Sequence, residues 1–162
     1  MTSAARRRQA KRTFLANHLM SIATCSKKGR PHAAVVLYAA DQDLKFYFAT
    51  KVRTRKARNL RENPRVAFVA GLEPPFSFQG EGRAILISAA AERQNALAKL
   101  AQAAANGVWK NFWPPILGLR AGEYAVYRLK PMRLRALDLQ NAKISNRLSS
   151  FIELIEWRSR RS

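Results

Sequence analysis

Between positions 19 and 50 the chain contains three short segments with strand-like patterns, and the third alternates hydrophobic and polar residues with the two-residue period of β-strands. These segments, Leu19–Cys25, His32–Ala39 and Leu44–Thr50, are separated only by short turns that contain Gly, Pro or Asp. In the third segment Phe46 and Phe48 fall on one face, as a half-buried strand requires. Three strands joined by short turns predict an antiparallel meander.

Further strand patterns follow. They are Arg65–Gly71, Phe76–Ile87, Glu123–Leu129 and Met132–Leu139. Gly80 and Gly82, inside the second of these segments, predict a bulge or a close approach of two backbones. We predict the last two segments as separate strands because Pro131 lies between them and lacks the N–H that a sheet ladder uses.

Helical patterns lie beside the strands. Arg53–Asn63 predicts a short helix that Pro64 ends, and Ser88 is placed to cap a helix that runs to about Ala105. The tail from Ile144 to Trp157 is ambiguous, since its apolar residues fit a helical stripe.

These elements together predict a mainly β protein with peripheral helices, not a parallel α/β sheet. Six or seven short antiparallel strands form a closed or half-closed barrel in this interpretation. We expect a basic N-terminal helix over residues 1–18, the barrel over residues 19–140, and a C-terminal segment over residues 141–162 that packs on the barrel or on a second subunit.

The composition is that of a single globular domain, with 162 residues, 48% hydrophobic and 25% charged. No apolar run approaches the roughly 18 residues that a membrane span needs. No secretory signal pattern follows the basic N-terminus. Cys25 is the single cysteine, so an internal disulfide or a thiolate metal cluster cannot form, and we expect no metal site. The cytoplasm is the expected compartment.

The net charge of +20 admits two kinds of partner. One is a polyanion such as a nucleic acid, and the other is a small phosphorylated ligand. The basic residues are spread along the whole chain, and the aromatic residues lie mostly in apolar strand patterns rather than between basic ones. We therefore expect that nucleic acid is not the partner.

The segment Thr50–Arg58 carries the most informative chemistry. It leaves a predicted strand and opens a predicted helix, whose first N–H groups and dipole favour a bound phosphate. Thr54 can cap that helix, Arg55 can grip phosphate oxygens with two N–H groups, and Lys56 adds a further positive charge. A solvated basic helix face is the alternative. No glycine-rich nucleotide motif is present, which disfavours a Rossmann or P-loop site.

Several segments, in order, resemble the pyridoxamine 5'-phosphate oxidase-like family of FMN-binding split barrels. The resemblance begins with Phe-Tyr-Phe-Ala-Thr at 46–50, Arg-Thr-Arg-Lys at 53–56 and Asn-Leu-Arg-Glu-Asn-Pro at 59–64. It continues with Gly-Glu-Gly-Arg-Ala at 80–84 and Tyr-Arg-Leu-Lys-Pro at 127–131. The similarity covers about residues 19–139, and its specificity comes from the order and spacing of the motifs.

The resemblance implies an antiparallel split β-barrel with FMN as cofactor and with the flavin site at a homodimer interface. It implies that the FMN phosphate is held by Thr50, Thr54, Arg55 and Lys56. It also implies that Val35, Val36 and Leu37 pass beside the flavin ring. A glutamine of the oxidases that contacts the flavin is replaced by Ser77 here, and Gln79, two residues further along the same strand face, is its expected substitute.

The chain departs from the true oxidases near its C-terminus. Leu134–Leu139 replaces their Ile-Glu-Phe-Trp-Gln-Gly segment, and their later Arg-Leu-His-Asp-Arg motif is absent. The resemblance therefore implies a related oxidoreductase that acts on a different, unidentified small substrate. Trp109 and Trp113 are candidates for the substrate side of the flavin, with packing in the core or at a dimer interface as the alternative. We identify no catalytic residue, since the flavin itself supplies the chemistry.

Other functions remain open at this point. Within the same fold the ligand can be a deazaflavin or heme, as in related split barrels. A protein of another class, a basic nucleic-acid-binding module without enzymatic activity, is a second alternative. A flavin-binding or storage protein without turnover is a third.

Overall fold

A computed structural model describes residues 2–71, 75–106, 122–140 and 151–156. Seven strands and three helices lie in these ranges. The helices are α1 (Ser3–Ala16), α2 (Arg55–Glu62) and α3 (Ala90–Asn106). The strands are β1 (Leu19–Cys25), β2 (Pro31–Ala40), β3 (Phe46–Lys51), β4 (Arg65–Ala70), β5 (Phe76–Leu86), β6 (Tyr124–Asp138) and β7 (Phe151–Ile155).

Six of these strands close into an antiparallel barrel. The sheet order is β3-β2-β1-β4-β5-β6-β7, and β3 also pairs with β6, which closes the ring. The first part of β6 pairs with β3 and its last part with β7, while β5 runs beside it for most of its length. The predicted mainly β fold with flanking helices is confirmed, with β7 as an extra strand outside the closed barrel.

Strand β6 corrects one sequence prediction. It runs without a break from Tyr124 to Asp138 and includes Pro131, which pairs with Gly82 across a shift of register. The shift leaves Met132 as an extra residue, so the sheet accommodates the proline at a bulge. The prediction of a bulge or a close backbone approach at the glycines is confirmed. The register shifts between Glu81 and Gly82, and a Cβ on Gly82 would lie 2.3 Å from the Lys130 carbonyl oxygen.

The barrel interior is filled by aromatic side chains. The largest fully buried ones include Tyr38, Phe46, Phe48, Phe76 and Phe78. They come from alternate positions of β2, β3 and β5, as the two-residue period of the sequence requires. One face of each strand therefore builds the core and leaves the other face for helices, solvent or partners.

Helix α1 contributes directly to this core. Thr2 caps its first turn, and Phe14 near its end is fully buried among the barrel rings. The Tyr38 hydroxyl donates a hydrogen bond of 2.9 Å to the Phe14 carbonyl oxygen. Near its start, Arg6 forms an ion pair with Asp138 at the end of β6. The helix is therefore joined to the barrel at both ends.

The other flanking segments complete the picture. Helix α3 covers the outside of the barrel next to β2 and β3, where Leu100 packs against Ala39. The helix begins at Ala90, so Ser88 is not adjacent to its first residue, and the predicted cap is wrong. The tail is also corrected, because residues 151–155 form β7 rather than a helix. In the described part of the chain, no helix has the length and apolar character to cross a membrane.

Candidate functional site

The start of α2 lies directly over the end of β3. After Lys51 the chain makes a short turn, and Thr54 caps the helix with its hydroxyl oxygen, which accepts the Ala57 N–H at 3.3 Å. Thr54 also donates its hydroxyl to the Lys51 carbonyl oxygen at 2.9 Å. The turn is thus held by hydrogen bonds on both sides of the cap, at the end of the helix where the first N–H groups have no partner within the helix.

Three of the predicted phosphate ligands meet at this turn. The hydroxyl oxygens of Thr50 and Thr54 are hydrogen-bonded at 3.1 Å. The Lys56 ammonium donates to the Thr50 hydroxyl oxygen at 3.0 Å. Lys56 is half-buried, and this burial lowers the pKa of its ammonium group from the ordinary value. The structure therefore brings two hydroxyls and one ammonium together within one turn of chain.

Arg55 extends the cluster toward β2. Its guanidinium donates to the Pro31 carbonyl oxygen at 3.3 Å, and the side chain is otherwise exposed. We call Thr50, Thr54, Arg55 and Lys56 the cationic corner. Among the described residues, no carboxylate is hydrogen-bonded to any of its four side chains, so no acidic group in that part of the chain neutralises its charge through a hydrogen bond.

The donors of the cationic corner fit a phosphate dianion. Hydroxyl, ammonium and guanidinium groups are the side chains that bind phosphate oxygens in proteins, and a helix N-terminus adds backbone N–H groups and a favourable dipole. The predicted gathering of these residues is what the structure contains. Their role in holding FMN stays a prediction.

Two residues that the sequence did not single out fix the helix on the barrel. The buried Asn59 amide donates to the Thr24 hydroxyl oxygen at 3.0 Å, and Thr24 in turn donates to the His32 carbonyl oxygen at 3.3 Å. These contacts join α2 to β1 and β2. A polar residue beside Leu60 on the buried face of the helix was the available signal, but its partner is 35 positions away.

The predicted flavin-ring segment divides between the two faces of β2. Val36 is buried in the core, so its side chain faces the barrel interior, and its place beside the flavin ring stays a prediction. Val35 points outward and is 62% exposed. Leu37, also on the outer face, packs toward Leu100 of α3.

Ser77 and Gln79 lie on the outer face of β5. The Gln79 amide oxygen accepts a hydrogen bond from the Arg135 guanidinium at 3.0 Å, at the edge of a groove of about 360 Å³. Val35 belongs to the same row of the sheet, through the pairings of Ser21 in β1 and Val69 in β4. Three strand spacings of about 4.8 Å put Gln79 roughly 14 Å from Val35. Within one chain, therefore, Gln79 lies well away from Val35 of the predicted flavin-ring segment. Trp109 and Trp113 lie outside the described residues.

The closed six-stranded barrel, with a helix that begins just after β3, has the architecture of the split β-barrels. Comparison with protein families identifies the class more closely. Residues 7–138 match the pyridoxamine 5'-phosphate oxidase family, and the chain belongs to this family. The predicted resemblance is thereby confirmed.

Individual relatives agree with this assignment. A 50-residue segment is 46% identical to the pyridoxine/pyridoxamine 5'-phosphate oxidase of Ehrlichia chaffeensis and covers 31% of this chain. That segment spans only 25% of the length of the relative, so the similarity is confined to part of the oxidase.

Solved structures share the fold at low sequence identity. A pyridoxamine 5'-phosphate oxidase-related, FMN binding protein from Nostoc punctiforme is 17% identical, with a TM-score of 0.56, and the match covers 86% of this chain and 84% of that one. The heme storage protein of Vibrio cholerae is 19% identical, with a TM-score of 0.59, and the match covers 83% of this chain and 94% of that one. The fold therefore occurs both in an FMN binding protein and in a heme storage protein, so the fold alone does not identify the ligand.

Proposed function

We propose that this protein is an FMN-binding flavoprotein and an oxidoreductase of the pyridoxamine 5'-phosphate oxidase-related type. The observation that carries the proposal is the cationic corner, in which the Thr50 hydroxyl lies within hydrogen-bond distance of both the Thr54 hydroxyl and the Lys56 ammonium. Membership of the family and the FMN binding protein among the structural relatives support the same ligand. A cytoplasmic location is part of the proposal.

The corner favours FMN over ligands without a phosphate. A terminal phosphate dianion would be held by Arg55 and Lys56, with the two threonine hydroxyls as further donors. When it is bound, the flavin supplies the redox chemistry, and the residues of this chain orient the ring and exclude water. The substrate in this proposal is a small molecule other than a vitamin B6 phosphate, because Leu134–Leu139 differs from the corresponding segment of the true oxidases.

The site is completed by a second copy of the chain in this proposal. Val35 and Gln79 lie about 14 Å apart within one chain, and the outer face of β1 and β4 between them carries small side chains such as Ser21, Ala23 and Ala67. An exposed Val35 on the same face adds apolar surface. A partner subunit that covers this grooved face would bring its own residues to the flavin.

The test compares FMN with riboflavin, which has the same ring and no phosphate. The purified protein is first examined for flavin or heme absorbance, and FMN binding is then measured by quenching of flavin fluorescence. Lys56→Ala and Arg55→Ala should each weaken FMN by about 1.5–3 kcal/mol, the usual contribution of a hydrogen bond to a charged group. Riboflavin binding should change little.

Arg58→Ala is the matched control, since it removes the same charge from an exposed position further along α2. Equal losses for FMN and riboflavin, or no loss in the corner variants, would contradict the proposal. A heme absorption band with no affinity for FMN would assign the fold to heme instead. Light scattering over a dilution series tests the dimer, which should persist in the FMN-bound protein.

A further inference from the structure

Three cations from adjacent strands lie side by side on the outside of the barrel. Arg65 of β4 is opposite Arg83 of β5, and Arg83 is opposite Lys130 of β6. All three residues are exposed. Two strand spacings of about 4.8 Å make this cationic row about 10 Å long. It shares no residue with the cationic corner.

The cationic row is unfavourable for the fold by itself. Like charges directly opposite each other on neighbouring strands destabilise a sheet. The adjacent row is different, since Glu81 is opposite Arg133, and the Arg133 guanidinium also pairs with Glu153 at 2.7 Å. Within the described residues, no side chain of the cationic row has a carboxylate partner. A local rule broken without compensation is typical of a functional surface.

An open groove with an apolar floor borders the row. Its volume is about 970 Å³, and Pro131, Met132 and Ile155 line it together with the row. Met132 is the extra residue of the bulge and is 39% exposed. Two carboxylates, Glu81 and Glu156, also line the groove. Glu81 is opposite Arg133, whose guanidinium pKa is raised chiefly by the hydrogen bond and charge of Glu153 and to a smaller extent by the charge of Glu81.

We propose that this groove binds a small molecule that carries a phosphate monoester on an apolar body. Arg83 stands at the centre of the row, so a phosphate above it is within reach of the neighbouring Arg65 and Lys130 side chains. The apolar body would cover Met132 and Ile155, next to Lys130. Binding a dianion removes the repulsion among the three cations, which turns an unfavourable arrangement into a favourable one.

The experiment uses 1-naphthyl phosphate as the probe in isothermal titration calorimetry at fixed ionic strength. Inorganic phosphate and 1-naphthol serve as the two halves of the probe. The intact probe should bind more tightly than either half. Arg83→Gln should weaken it by about 10- to 100-fold, the equivalent of one charged hydrogen bond. Met132→Ser should reduce the ratio of the affinity for 1-naphthyl phosphate to the affinity for inorganic phosphate.

Two controls separate this groove from the cationic corner and from a folding defect. Lys56→Gln changes the cationic corner and should leave the affinity of the groove for 1-naphthyl phosphate unchanged. Arg83→Gln removes repulsion, so its urea midpoint should equal or exceed that of the parent protein. If Arg83→Gln is folded but no longer binds the probe, the substitution has therefore removed a binding contact and has not unfolded the protein.

Several results would overturn the proposal. One is the absence of probe binding, and another is probe binding that Arg83→Gln does not change. Binding that only Lys56→Gln abolishes would place the probe in the cationic corner. A single-stranded oligonucleotide that binds through Arg83 when 1-naphthyl phosphate does not would make the row a nucleic-acid surface. The outcome does not depend on whether the protein binds FMN.

Discussion

Truncation of Phe14 tests whether α1 is an integral part of the barrel. The side chain is fully buried, and its ring centroid lies 4.9 Å from that of Phe46, 5.1 Å from that of Phe78 and 5.4 Å from that of Tyr38. Phe14→Ala leaves the backbone carbonyl in place, so the hydrogen bond from the Tyr38 hydroxyl can persist. The variant therefore removes packing and keeps the polar contact.

The expected loss follows from the packing. Replacing a buried phenylalanine by alanine costs about 3–5 kcal/mol, because transfer energy is lost and a cavity remains. Aromatic pairs add about 0.5–1.5 kcal/mol beyond burial, so three ring neighbours place Phe14 in the upper part of that range. Since the whole domain is stable by about 5–15 kcal/mol, this is a large share. At about 2–4 °C per kcal/mol, Tm should fall by roughly 8–20 °C.

Urea unfolding followed by far-UV circular dichroism measures this loss. The midpoint should fall while the slope with denaturant stays the same, if both proteins unfold in two states. Phe14→Leu should recover much of the stability, and Arg12→Ala, an exposed change on the same helix, should stay within about 0.5 kcal/mol of the parent. A loss below about 1 kcal/mol for Phe14→Ala would refute the integration of α1 into the core.

Two further predictions concern the sheet and the cationic corner. Gly80→Ala should destabilise the fold by about 1–3 kcal/mol in the same urea assay, because its Cβ would lie 2.2 Å from the Phe68 ring; an unchanged midpoint would contradict that close packing. As the pH is raised, FMN affinity should begin to fall at a lower pH than an exposed lysine would require, because burial lowers the Lys56 pKa and deprotonation removes the charge that attracts phosphate. Lys56→Arg should move this decline to higher pH in flavin-quenching titrations, and an identical profile in both proteins would exclude Lys56 as its cause.

Local patterns were sufficient to predict most of the barrel. The first strand has the predicted bounds, Leu19–Cys25, and the turn before β2 contains Gly29 with a positive φ of 78°. The cationic corner was also predictable, since its members lie within seven consecutive positions, 50–56. Strand alternation and helix capping act over a few residues, and a single sequence displays them directly.

The errors have a common physical origin in contacts between distant segments. Pro131 was predicted to end a strand, but β6 continues through it, because the sheet forms a bulge where Pro131 pairs with Gly82 of β5. The apolar spacing of the tail fits a helix, yet Phe151–Ile155 pairs with the end of β6 and buries Leu154. Asn59 gave no sign of its hydrogen bond to Thr24. Such partners are set by the tertiary fold, which overrides local propensity.

The internal hydrogen bonds of the cationic corner explain how it can be ready for an anion before one arrives. Lys56 donates to the Thr50 hydroxyl, and Thr54 is held by its cap and by the Lys51 carbonyl, so the donors have fixed positions. A phosphate oxygen that enters here would replace or join a neutral hydroxyl as the acceptor of an ammonium already half-buried. Little side-chain entropy remains to be lost on binding, and the charge gains a counter-ion that no described carboxylate provides by hydrogen bonding. The hydrogen bonds at the junction of β3 and α2 are thus the same bonds that position the phosphate donors. Substitution of Thr50 or Thr54 should therefore lower both the free energy of unfolding and the affinity for phosphate.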